Sequence, residues 1–398
     1  MRILLLAPHE FYIDRGTPMD TDLLLRALGA GDHQIDLVVY GGGQHRDYPG
    51  VTIHRAKTPR WLTGIRPGFS YKKVLADFWL FAAARRLVRR NSYDIVHAGE
   101  EAVFMALWFR FRHGIPYIYD MDSAIAHQLV EASPWLKPLR KVFDWIVGLA
   151  LRRAIAVAPV CQALAELAES NGAKQVVILH DISQLQNPGR APTGELRQSR
   201  GIQGPLVMYV GNFERYQGIA LLLSAFSRAV ANGSDAALVL AGGIPSHIAK
   251  YREAAEDLGI GDRTHFVGHW PADRLDEILA EADVLVSPRT SGINTPMKVF
   301  PFMHSGKALL ATDIRTHNQI LTPDIARLAP PEPEAFAGAL LELCNDPALR
   351  ERIGQAGRAF VEQNHTFEAH VRRVEALYRF IAERVGQSPL HSTGGPIT

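Results

Sequence analysis

Two glycine-bearing loops carry side chains suited to holding an anionic group. Val210-Gly211-Asn212-Phe213-Glu214-Arg215-Tyr216-Gln217-Gly218 leaves an apolar run and enters a helical pattern starting near Ile219. Backbone N–H groups at a helix N-terminus preceded by glycines suit a phosphate. Pro288-Arg289-Thr290-Ser291-Gly292-Ile293-Asn294-Thr295-Pro296-Met297-Lys298 is a second such loop, and Lys298 can meet a diphosphate as a point charge. Either loop alone reads equally well as a turn; together they point to a nucleotide-diphosphate pocket. In the first half, titratable residues follow the apolar runs: His9-Glu10, Glu100-Glu101, Asp120-Met121-Asp122 and His180-Asp181. Side chains of these types can orient an acceptor or serve as a base, and equally well cap helices or sit in solvated loops. Asp120-Met121-Asp122 also has the D-x-D form that can hold a divalent metal. Against that, Asp122 reads as the cap of a helix beginning near Ser123.

Several chemistries lack their motifs. No G-x-G-x-x-G follows the first strand, and there is no G-x-x-x-x-G-K-[ST], H-E-x-x-H or C-x-x-C. G-x-S-x-G is missing too, so a hydrolase nucleophile elbow has no support.

The elements that must position these residues form a repeated β-α pattern. Short Val/Ile/Leu/Ala runs are expected as strands at Arg2–Ala7, Ile35–Tyr40, Ile95–His97, Tyr117–Tyr119, Ile155–Ala158 and Val176–Leu179. After Gly204 come Leu206–Val210, Ala237–Ala241, Thr264–Val267, Val284–Ser287 and Ala308–Thr312. Continuous apolar runs fit parallel strands covered on both faces. Helical patterns between them, such as Ile219–Ala231, Ser246–Leu258 and Arg274–Ala282, argue for doubly wound α/β sheets. The pattern breaks at Asn187–Pro205, where seven glycines and prolines cluster. Two α/β domains are therefore expected, 1–190 and 204–366, with a helix over 367–385 and a disordered tail at 386–398. Ligands bind beyond the carboxyl ends of parallel strands, so a cleft facing both sets of strand ends is the expected site.

Composition sets the outer bounds. The 398 residues are 47% hydrophobic and 21% charged, which excludes a disordered or fibrous chain. A net charge of +2 argues against a general nucleic-acid binder. Two cysteines fit a reducing, cytoplasmic compartment, and no apolar stretch reaches the ~18 residues a membrane span needs. The first half is nonetheless basic: residues 51–90 hold ten Lys/Arg against Asp77. Arg55, Lys57, Arg60, Arg66, Lys72 and Lys73 interleave with Trp61 and Phe69, ahead of apolar Val74–Ala84, and Arg85, Arg86, Arg89 and Arg90 follow. That segment, residues 55–90, suits either an anionic membrane surface or a core helix with solvated basic ends.

An ordered set of segments resembles the family 4 glycosyltransferases. It comprises Tyr209–Gly218, Leu240-Ala241-Gly242-Gly243, His265-Phe266-Val267-Gly268, Ala282–Pro288 and Thr295–Thr312, with Arg15-Gly16-Thr17-Pro18 and Asp94–Ala98 in the first half. The resemblance implies the GT-B fold, two Rossmann-like domains facing an interdomain cleft. It also implies retaining transfer of a sugar from a UDP- or GDP-sugar to a glycan, lipid-linked or small-molecule acceptor. In that mechanism the departing phosphate helps deprotonate the acceptor, and neither a protein nucleophile nor a metal or other cofactor is required. Arg215 and Lys298, with Arg289, are the cations available to meet the diphosphate in place of the family's, and Asp122 stands where the family has an acceptor-cleft histidine. Gly16, Gly211, Asn212, Gln217, Gly243, Arg289, Gly292 and Thr295 would shape the donor site. His9, Glu100, Glu101 and His180 would lie on the acceptor side. The chain departs from the family pattern at Asn212 and Gln217, where the family has Arg and Lys, at Pro301, where a Glu bonds the donor ribose, and at Ile293. Pro301 is also expected to bend or weaken a helix starting near Pro296. These departures leave a second reading, an inactive scaffold that binds a glycan or a partner transferase.

Overall fold

Twelve parallel strands build two six-stranded sheets in the computed structural model, which describes residues 1–13, 16–29, 31–62, 64–65, 70–126, 129 and 134–386. In the first sheet they are β1 (Arg2–Leu6), β2 (Gln34–Val39), β3 (Val51–Arg55), β4 (Ile95–Gly99), β5 (Tyr117–Met121) and β6 (Ala156–Pro159). The order is β3-β2-β1-β4-β5-β6, with Ile3 of β1 between Ile35 and Ile95. The second sheet holds β7 (Leu206–Val210), β8 (Ala237–Ala241), β9 (Thr264–Gly268), β10 (Val284–Ser287), β11 (Ala308–Thr312) and β12 (Arg327–Ala329), ordered β12-β11-β10-β7-β8-β9. Each sheet reverses its winding once, between β1 and β4 and between β7 and β10. Loops after those four strands stand at the switch point, where doubly wound sheets bind ligands.

Burial on both faces explains the unbroken apolar runs. Val207 and Tyr209 of β7 enter one core with Leu238 and Val284, while Leu206 and Met208 enter the other with Val239 and Leu285. Successive residues point to opposite faces of a sheet, so both sets must be apolar. Helices supply the cover. Leu222, Leu223 and Phe226 on the Ile219–Ala231 helix and Phe336 and Leu340 on the Pro333–Asn345 helix close the first of these cores.

The chain divides into two compact units, Met1–His180 with the residues from His370 onward, and Asp181–Ala369. The Asn187–Pro205 segment, expected as the break, lies inside the second unit. Ile202 is buried in that unit's core, with Leu185 and Leu196 packed against it, and Glu281 accepts hydrogen bonds from Thr193 and Gly194. The Phe367–Gly386 helix buries Val374, Leu377, Tyr378 and Ile381 against the first sheet. Residues 387–398, expected as a tail, lie outside the described residues, as do Arg15, Arg66 and Phe69.

Three local expectations change. Val176–Leu179 forms no strand; it follows β6 through backbone bonds at Val177 and Leu179, but only Val176 makes a bridge. Strands β3 and β12 are unheralded, one alternating in polarity and the other three residues long. Pro301 neither breaks nor weakens a helix, because that helix runs Val299–His304 and places the proline in its first turn. Backbone N–H groups there have no intrahelical partner, so the missing one costs nothing.

Candidate donor and acceptor sites

In the second unit, the first loop folds back over the side chain of Lys298. The Lys298 ammonium donates to the Tyr209 hydroxyl at 2.7 Å and to Gln217 Oε1 at 3.1 Å, and lies 4.0 Å from the Tyr209 ring centroid. Tyr209 in turn donates to the backbone oxygen of Asn212 at 2.6 Å. Gly211 is required by this approach: its φ is +146°, and a Cβ would stand 2.5 Å from Lys298 Nζ. Gly242 is required by the next layer, since a Cβ there would meet the Gly211 oxygen at 2.0 Å. Gly243, beside it, lies against the Phe213 ring.

Among the described residues Lys298 meets no carboxylate. Burial, and then the charge of Arg289, lower its pKa to about 7. Arg289 follows β10, stacks over the Tyr216 ring at 5.1 Å and donates through Nε to the Ser291 oxygen at 2.7 Å. Its backbone oxygen accepts from Thr312, so β11 fixes the loop. Gly292 leaves room for the guanidinium, where a Cβ would lie 2.2 Å from Nη2. His317, fully buried, bonds Ser287 at 2.9 Å and the Thr312 oxygen at 2.8 Å. Burial lowers its pKa to about 4, so it stays neutral beside the two cations. The Thr295 hydroxyl is buried with no hydrogen-bond partner among the described residues.

The sequence-predicted donor residues therefore divide. Gly211, Gln217, Arg289, Gly292 and Lys298 come together. The Gln217 side chain is buried, and its oxygen is occupied by Lys298. The Asn212 amide oxygen accepts from Glu214 N at 3.2 Å, and Arg215 is exposed at the start of a short turn, Arg215–Gln217. Tyr209 and His317 were missed. Their signal, a polar ring inside or just after an apolar strand run, does not say what it faces.

The first unit gathers carboxylates instead. Glu100 and Glu101 follow β4 at the switch point, and Glu100 holds the left-handed conformation, φ +48°, uncommon outside glycine. Ser123 donates to Glu100 at 2.7 Å, Lys73 pairs with Glu101 at 2.7 Å, and Tyr40 donates to Asp77 at 2.5 Å. Burial, and then the charge of Glu101, push both Asp77 and Glu100 up to about 7. Tyr119 lies buried with its hydroxyl unbonded among the described residues, within the field of Glu100, Glu101, Asp122 and Asp120. Asp120, the first acid of the D-x-D, bonds His97 at 3.2 Å, and His97 bonds Tyr378 at 2.8 Å. Among the described residues no group of three His, Cys, Asp or Glu is placed to hold a metal. His9 bonds Thr21 at 3.1 Å, and burial lowers its pKa to about 4. Burial, and then Arg373, lower the His180 pKa. Gly16 begins the Gly16–Leu28 helix.

Lys73 and Asp77 were missed as site residues; their signal was a carboxylate interrupting an apolar helical run, four residues from a lysine. The basic segment they belong to is partly committed elsewhere. Arg55 staples a loop by donating to the backbone oxygens of Phe11, Gly42 and Gln44. Among the described residues no helix is long and apolar enough to cross a membrane.

Comparison with known proteins agrees with this architecture. The family model "Glycosyl transferases group 1" matches residues 193–360, and "Glycosyl transferase 4-like domain" matches residues 16–180. Alpha-maltose-1-phosphate synthase of Mycobacterium tuberculosis is 25% identical over 88% of this chain and 95% of its own. Sucrose-phosphate synthase from Thermosynechococcus elongatus superposes with a TM-score of 0.79 at 19% identity, covering 96% of this chain and 99% of that one. Anabaena HepE, solved in complex with UDP, superposes with a TM-score of 0.74 at 17% identity over 95% and 100%. With both halves matched, the chain belongs to the family 4 glycosyltransferases, retaining enzymes of the GT-B fold that draw their sugar from a nucleotide-sugar donor.

Proposed function

We propose that Lys298 and Arg289 receive the diphosphate of a UDP- or GDP-sugar, and that the first unit presents the acceptor hydroxyl. The observation that carries this is a buried ammonium with no carboxylate partner among the described residues, held at a switch point beside a second cation. Burial drives such a group toward neutrality, and an arriving diphosphate reverses the drive by supplying the missing counter-charge. As the sugar–phosphate bond breaks, negative charge grows on the leaving diphosphate. Two preorganised cations stabilise that charge more than the ground state, which lowers the barrier.

The uncharged residues at positions 212 and 217 are compatible with this role. Gln217 and Tyr209 fix the ammonium in place, so the loop orients the cation where its relatives would add another. Gly211, Gly243 and Gly292 keep the surface open to the phosphates, and Asn212, Arg215 and Thr295 are available at its edge. On the acceptor side, Asp122, Glu100, Glu101, His9 and His180 are read as the groups that orient a glycan, lipid-linked or small-molecule hydroxyl. The departing phosphate takes the hydroxyl proton, with no metal required.

Calorimetric titration of UDP and GDP, without metal and then with Mn²⁺, tests the donor site. UDP comes first because the HepE structure carries it. Metal-independent binding that weakens in Lys298→Met is the expected result. Absence of binding at millimolar nucleotide would overturn the assignment.

A further inference from the structure

The Tyr71–Arg90 helix is apolar on two sides. Ala76, Leu80, Ala84 and Val88 face the core, while Tyr71, Val74, Leu75 and Phe78 form a second, exposed stripe with Phe78 at 68%. The Arg140–Arg153 helix repeats the feature with exposed Val142 and Trp145, the latter at 63%. Exposed apolar stripes of this kind on a soluble unit mark a contact surface. Between the two helices and Val103–His113 opens a cavity of about 430 Å³, within the range of small-molecule sites. Its walls are Val74, Phe104, Met105, Phe143, Ile146 and Val147, and its polar end is Lys73, Asp77 and Glu101. That end reaches the residues following β4, the switch point of the first sheet.

From this geometry we infer that the cavity is an acceptor subsite for an amphiphile whose head is an uncharged, hydroxyl-bearing group. The head lies at Lys73, Asp77 and Glu101, and the apolar body runs along the cavity toward the exposed stripes. The inference rests on the glycosyltransferase reading above and narrows its acceptor. Charge decides the head group. One ammonium, Lys73, faces the carboxyls of Asp77, Glu100 and Glu101. Above pH 7, where Asp77 and Glu100 are ionised, a phosphate would meet net repulsion there, whereas a hydroxyl can donate to a carboxylate and accept from Lys73. Among the described residues the apolar walls give the body of the ligand no polar partner, which disfavours a free sugar or oligosaccharide.

The test uses the full chain and two probes of equal chain length below their micelle concentrations, n-decyl β-D-glucoside and n-decyl phosphate. Binding is read by calorimetry and by tryptophan fluorescence. The glucoside is expected to saturate and to bind at least tenfold tighter than the phosphate. Ile146→Trp, which fills the cavity from a partly exposed wall, is expected to weaken it at least tenfold while leaving the melting temperature and UDP affinity unchanged. Val74→Trp does the same from the mouth and stands in if the first variant unfolds. Equal or tighter phosphate binding, indifference to both variants, or no saturable binding would each overturn the inference. If UDP still binds in those cases, the donor-site reading survives alone.

Discussion

Replacing Lys298 by methionine should make the second unit more stable and its nucleotide affinity worse. The lysine's pKa falls from the ordinary 10.5 to about 7, chiefly through burial. At about 1.4 kcal/mol per unit, keeping it charged costs the folded chain about 5 kcal/mol below pH 7. Methionine removes that cost but also the hydrogen bonds to Tyr209 and Gln217, about 1 kcal/mol each, leaving a gain of about 3 kcal/mol. For a unit of this size that is an increase in Tm of roughly 6–12 °C. The sign depends on pH in a defined way. Between pH 7 and 10.5 the unfolded chain holds this proton and the folded chain does not, so wild-type stability rises with pH across that window. The variant's advantage is therefore full below pH 7, shrinks through the window and turns into a deficit of about 2 kcal/mol above it, where only the two lost hydrogen bonds remain. Nucleotide binding moves the other way: loss of a charge-assisted bond of about 1.5–3 kcal/mol weakens UDP roughly 10- to 150-fold at pH 6.5. Thermal melts at pH 6 and pH 10.5, with calorimetric UDP titrations, measure both. A variant that melts lower at pH 6 and binds UDP as before would refute the reasoning.

Three further outcomes follow from the same geometry. Gly211→Ala sets a Cβ against the Lys298 ammonium at a positive φ, and should weaken UDP by more than tenfold in the same titration. Pro301→Ala should cost less than about 1 kcal/mol in a denaturant melt, because the proline occupies the first helical turn; a gain near 3 kcal/mol would place it in a helix interior. Asp77→Asn should stabilise the first unit at pH 8 and not at pH 3.5. The raised carboxyl holds its proton in the folded chain up to about pH 7 and in the unfolded chain only to about 4, so wild-type stability falls as pH rises through that window. Melts across that range check it.

How far each feature could be read from the sequence follows from how local its cause is. The strands β1, β7, β8 and β11 are buried on both faces, so apart from Arg2 and Thr312 at their ends every residue is apolar and the run announces itself. In β3, Thr52 and His54 break the run because this edge strand pairs with β2 alone. The loop glycines were legible as a class, since positive φ and close approach leave few other residues possible. Their targets were not: Gly211 faces a lysine supplied by a different loop, and nothing in the spacing between them reports the contact. Glu101 was expected on the acceptor side, but Lys73 and Asp77 beside it were hidden for the same reason, one pair on a helix and the other residue at a strand end.

One strand order serves two opposite electrostatic tasks. At the second sheet's switch point the buried group with a shifted charge is a cation, Lys298, beside Arg289; at the first sheet's the shifted groups are the acids Glu100 and Asp77, beside the Lys73–Glu101 ion pair. Burial drives Lys298, Asp77 and Glu100 toward neutrality, so Lys298 falls to about 7 while Asp77 and Glu100 rise to about 7. An anion bound at the first centre restores its charge and is repelled at the second. A hydroxyl compound, having no charge to repel, is free to use the acids as hydrogen-bond acceptors. Under the two proposed assignments, an anionic donor and an uncharged acceptor are sorted by the sign of the groups at each sheet's switch point. Reversing one sign, by Lys298→Glu, should abolish nucleotide binding outright where Lys298→Met only weakens it.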